Sequence, residues 1–95
     1  MKVWGRELRS IDEIRKDIDD TDRELVRLFC RRMELSDEMG RLKSARGLPV
    51  RDTARENELK AKVGGLSDPR FTEQVLGLYD RILTLSREYQ EKEHI

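Results

Sequence analysis

Metal and thiol chemistry are almost closed to this sequence, because its 95 residues include a single cysteine, Cys30, and a single histidine, His94. A lone cysteine excludes an intrachain disulfide and fits a reducing compartment. One histidine and one cysteine make neither a His/Cys metal site nor a Cys–His catalytic pair, so no metal is expected. Glycine-rich phosphate loops are missing too, since the pair Gly64-Gly65 reads better as a helix stop than as a cradle. No long apolar run occurs, and the opening residues Met1 to Glu7 have no apolar leader core, so neither a membrane span nor a signal peptide is expected and the cytoplasm is the expected location. Charge of one sign is lacking as well. Twenty basic and twenty acidic residues cancel, which leaves no whole-chain field to draw nucleic acid or an anionic membrane.

Charged residues instead make up 42% of the chain against 36% hydrophobic, which leaves one modest domain over residues 1–95 with a thin core. The apolar residues recur too regularly for disorder. Ser10 with Glu13 forms a capping box, and no proline or glycine follows until Gly40, so a first helix is predicted from about 10 to 46, ended by Gly47-Leu48-Pro49. Positions 14, 18, 21, 25, 28, 32, 35, 39 and 42 step by four and three, and all but Thr21 and Arg32 are Ile, Leu or Met. This is an a/d seam. A second helix is predicted from an N-cap at Asp52 to about residue 63, closed by Gly64-Gly65. A third runs from about 68 to 92, with Asp68 as cap and Pro69 in the first position. Trp4, ahead of the first helix, is expected to pack as a staple. No strand-like run or repeat is present. The expected fold is all-α, with three helices per chain.

A first helix of about 36 residues spans roughly 54 Å, whereas an ordinary globule of this length has a radius of gyration of about 12 Å. Two shorter helices cannot cover such a seam, so an intertwined homodimer is expected.

Arg32 stands where the seam asks for an aliphatic. A buried guanidinium needs a counter-charge, which a partner helix or a bound anion could supply. Lys43 lies three turns further along nearly the same face. Arg41, Lys43, Arg46, Arg51 and Arg55 gather positive charge around the second helix's start, a local anion trap in a neutral chain. Arg55 and Glu56 read either as a surface ion pair or as something more, since an arginine is unfavourable near a helix N-terminus. Ser86 and Gln90 continue an apolar stripe of Leu76, Tyr79 and Leu83. They either need hydrogen-bond partners in the interior or mark a helix end becoming exposed. Arg15 is flanked by Asp12 and Asp19, so a solvated ion pair is its simplest reading. Along a straight helix it sits roughly 25 Å from Arg32.

Arg15 to Asp22, then Leu25, Leu28, Arg31-Arg32, Leu35, Gly40 and Lys43, resembles the long first helix of the all-α chorismate mutases. Gly47 to Asp52 with Arg55-Glu56 is similar to that family's loop and second-helix start, and Ser86 with Gln90 to its closing motif. The resemblance implies conversion of chorismate to prephenate without cofactor, in aromatic amino acid biosynthesis, by a homodimer with sites shared between protomers. It further implies that Arg32 and Ser86 bind one carboxylate and that Arg15 reaches a carboxylate in the partner's site. Lys43 and Gln90 would donate to the ether oxygen. Glu56, with the backbone near Asp52, would hold the ring hydroxyl, and Arg55 would brace Asp52. An isochorismate-pyruvate lyase of the same fold and a non-catalytic helical dimer are the alternatives.

Overall fold

The computed structural model describes residues 2–3 and 6–94, with side chains from Leu8 to His94. The packing expected of Trp4 lies outside the described residues. Three helices carry the fold: α1 over Ile11–Arg46, α2 over Thr53–Leu66 and α3 over Thr72–His94. Ahead of them, β1 (Lys2–Val3) and β2 (Arg6–Glu7) make a two-residue antiparallel pair, Lys2 opposite Glu7. The chain forms two compact units, residues 1–32 and 33–95, and α1 runs through both.

The caps behave as local chemistry dictates. The Ser10 hydroxyl accepts from the Glu13 amide at 3.1 Å, and the Ser10 carbonyl takes the Ile14 amide. At the other end Gly47 adopts φ 65°, a left-handed conformation that costs glycine nothing. Leu48 N–H then returns to the Lys43 carbonyl at 2.8 Å and Gly47 N–H to Ser44 at 3.2 Å, which satisfies carbonyls the helix would otherwise leave orphaned. Asp52, extended at φ −121°, accepts the Arg55 amide and starts α2.

The end of α2 differs from the sequence expectation. The helix runs through Gly64 and Gly65 to Leu66, and Ser67 is its C-cap. Two helical glycines cost about 1 kcal/mol each relative to alanine. Against that, the Ser67 N–H bonds the Val63 carbonyl at 3.1 Å, and its hydroxyl bonds Gly64 at 2.7 Å and Thr72 at 2.7 Å. Asp68 and Pro69 then start a 3-10 turn, Pro69–Phe71, which leads into α3.

In the unit of residues 33–95 the buried hydrophobic residues are Val63, Ile82 and Leu83, each 8% exposed, where α2 meets α3. No large side chain is fully buried among the described residues. Seven seam residues of α1 (Ile14, Ile18, Leu25, Leu28, Leu35, Met39 and Leu42) remain 45–54% exposed within one chain. No helix among the described residues is long and apolar enough to cross a membrane.

Candidate active site

The candidate site is built where the C-terminal half of α1 meets α3. On α1, Met33, Ser36, Gly40 and Lys43 follow one another at helical spacing, one residue out of step with the seam. Opposite them on α3 stand Ser86 and Gln90, one turn apart. The Ser36 hydroxyl donates to Ser86 at 3.2 Å, and Ser86 lies 3.9 Å from the Met33 sulfur. Small residues make this approach possible. A Cβ at Gly40 would lie 2.9 Å from Gln90 Cγ and 2.7 Å from His94 Cδ2, closer than carbon atoms pack.

Both α3 polar residues are interior. Ser86 is 5% exposed and Gln90 6%, so the reading of an exposed helix end does not hold. The Gln90 carboxamide oxygen is buried and has no hydrogen-bond partner among the described residues. An orphaned interior acceptor costs about 1–3 kcal/mol, which a ligand group could recover.

Lys43 is half-buried, and its ammonium donates to the Val50 carbonyl at 2.6 Å, so the cation is held over the connection between α1 and α2. Glu56, in the first turn of α2, is buried with a side chain 12% exposed. It does not pair with its neighbour Arg55. Arg87 of α3 donates to one carboxylate oxygen at 2.5 Å, and Arg51 lies 3.6 Å from the other. Arg55 is exposed, and its guanidinium turns to Glu58 at 2.7 Å while its backbone N–H serves Asp52.

Arg15 and Arg32 belong to the unit of residues 1–32. Arg15 is exposed, and its expected ion pair with Asp12 or Asp19 does not form. Arg32 is half-buried and engaged. No cluster of three His, Cys, Asp or Glu able to hold a metal occurs among the described residues.

Sequence reasoning missed Ser36, Asp37, Arg87 and His94. The stripe through 33, 36, 40 and 43 could have been found from its spacing and its two small residues. Nothing local announces Arg87 as the partner of Glu56, 31 positions away. His94 Nε2 lies 2.7 Å from Asp37 Oδ1, across 57 positions. That hydrogen bond holds the Asp37 carboxyl below its ordinary value, against partial desolvation and with help from Arg41 and Tyr89. The negative charge of Asp37 in turn pushes the Tyr89 phenol up, assisted by desolvation.

The sequence pattern of the family described as chorismate mutase type II matches residues 14–91. The chain belongs to that family. The matched span takes in every candidate residue named from the sequence, from Arg15 to Gln90. Among curated relatives, the T-protein of Haemophilus influenzae is 35% identical, over 63% of this chain and 18% of its own length. A bifunctional chorismate mutase/prephenate dehydratase from Aquifex aeolicus is 36% identical, over 59% of this chain and 16% of its own. The chain thus spans less than a fifth of either relative. A chorismate mutase from Methanocaldococcus jannaschii is 27% identical, over 93% of this chain and 70% of its own. No solved structure matches the chain.

Proposed function

We propose that the chain rearranges chorismate to prephenate, as a homodimer in the cytoplasm. Beyond family membership, the observation that carries this reading is Gln90, a residue only 6% exposed, whose buried carboxamide oxygen no described residue satisfies. A half-turn of the carboxamide exchanges that oxygen for its NH2, so the same position can donate or accept.

The reaction needs little from the protein. An ether C–O bond breaks as a C–C bond forms within one cyclic transition state, and no proton changes hands. Holding the substrate dianion in its compact conformer supplies the orientational part of the barrier. A fixed cation and an amide donor at the ether oxygen stabilise the negative charge that grows there. In this reading Lys43 and Gln90 are those two groups, and the reaction uses neither metal nor cofactor. Arg32 and Ser86 take one carboxylate, where a planar guanidinium suits bidentate binding. Glu56 accepts from the ring hydroxyl; its ion pairs with Arg51 and Arg87 leave further lone pairs for this. Asp52 and Arg55 shape the same turn.

The second carboxylate falls to Arg15 of a partner chain. Along α1 it stands roughly 25 Å from Arg32, too far for one small ligand in cis. The exposed seam of α1 supports a dimer, since seven half-bare aliphatics along one helix are a face that a second copy covers.

Turnover is tested by following loss of chorismate absorbance, with isochorismate assayed alongside. Prephenate formation is the expected result. Pyruvate release from isochorismate at a higher kcat/KM would make the chain a lyase, and inertness towards both would make it a non-catalytic helical dimer.

A further inference from the structure

We propose that His94 is a positioning residue for Gln90, its bond to Asp37 pinning the last turn of α3 onto α1 beside Gly40. The inference rests on Gln90 acting at the substrate. His94 follows Gln90 by four positions, so both project from one face of α3. Both converge on the bare backbone of Gly40, which would clash with either at 2.9 Å or less if it carried a Cβ. Gln90 has three side-chain torsions and, for its oxygen, no partner among the described residues to set them. What limits its wander is the docking of the surrounding turn, and the contact at the end of that turn is His94 to Asp37 at 2.7 Å, with side chains 14% and 28% exposed. Asp37 is steadied on its own helix by Arg41 at 3.1 Å, one turn on. A helix terminus frays unless something ties it down. A fraying last turn would displace the Gln90 carboxamide by a fraction of an ångström to an ångström, and misplacement on that scale costs up to about 100-fold in rate.

The test is steady-state kinetics on the full chain with chorismate. His94→Leu keeps bulk over Gly40 but has no donor, whereas His94→Gln retains an N–H able to reach Asp37. The leucine variant should lose about 10-fold in kcat with KM within about 2-fold, and the glutamine variant should recover most of that loss. In a Gln90→Ala background His94→Leu should have little further effect, because positioning matters only when there is a carboxamide to position. Asp37→Ala removes the other end of the contact and must reproduce the kcat loss, which keeps the question answerable if the leucine variant does not fold. Wild-type kcat in His94→Leu or Asp37→Ala, or an equal loss with and without Gln90, overturns the inference while leaving the activity standing. A wild-type chain inert towards chorismate overturns both.

Discussion

Arg87 of α3 and Glu56 of α2 form an ion pair across the helix interface, with side chains only 23% and 12% exposed. The pair ties the first turn of α2 to the turn of α3 that carries Ser86. Removing one member of a buried pair leaves the other charge without its main partner, which typically costs about 3–5 kcal/mol. Arg51 stays near Glu56, so Arg87→Ala should lose somewhat less, about 2–3 kcal/mol. Urea denaturation of the two proteins checks this, and a change below about 0.5 kcal/mol would put the pair among surface contacts.

Gly40→Ala sets two effects of opposite sign against each other. Alanine gains about 1 kcal/mol of helix propensity over glycine. Its Cβ, however, would meet His94 Cδ2 at 2.7 Å, Gln90 Cγ at 2.9 Å and Gln90 Cβ at 3.3 Å. The ring can swing away, but Gln90 Cβ is fixed to its helix, and overpacking of this kind costs about 1–3 kcal/mol. Net destabilisation of about 1 kcal/mol is expected, with a larger proportional loss of kcat. Thermal melts and turnover measured on one preparation decide it.

The Asp37–His94 contact sets an acid limit on stability. The folded carboxyl of Asp37 is held below its ordinary value, chiefly by the His94 hydrogen bond. The unfolded chain, titrating near about 3.9, therefore binds more protons in acid than the folded one. The stabilisation is complete above the unfolded value and disappears as pH falls through the folded one. Between about pH 5 and pH 3 the wild type should lose more of its denaturation midpoint than Asp37→Asn. Parallel curves for the two proteins would remove Asp37 from the account.

Gln90→Glu should shift the activity optimum towards acid. A carboxyl can donate to the ether oxygen only when protonated, whereas the carboxamide donates at any pH. Ionised, it would face the negative charge that develops there and raise the barrier. A pH–rate profile with unchanged shape and full activity would place Gln90 outside the site.

Mixed dimers test whether sites are shared. Arg15→Ala and Arg32→Ala homodimers should each be nearly inactive, every site lacking one clamp. After joint unfolding and refolding, half the dimers should be mixed, with both lesions in one site and none in the other. About one quarter of wild-type activity should then return. Refolded heterodimers as inactive as the parents would end the shared-site arrangement.

Much of this molecule is written in short-range pattern. Ser10 and Gly47 bound α1, Asp52 starts α2, and the three-and-four spacing of aliphatics marks the bare seam. Each follows from groups within about five positions of one another, where helix geometry alone sets who meets whom. Tertiary structure decided the rest. Ser86 and Gln90 could equally have been a fraying end; their burial depends on Ser36 and Gly40 letting α3 approach. Glu56 had Arg55 beside it and a default surface pair, yet it turned inward to Arg87. Gly64-Gly65 reads as a stop in isolation, but the hydroxyl and backbone of Ser67 carry the helix past it. Partners separated by 31, 50 or 57 positions are chosen by packing, because a side chain's reach is a few ångströms and only the folded chain brings such groups within it.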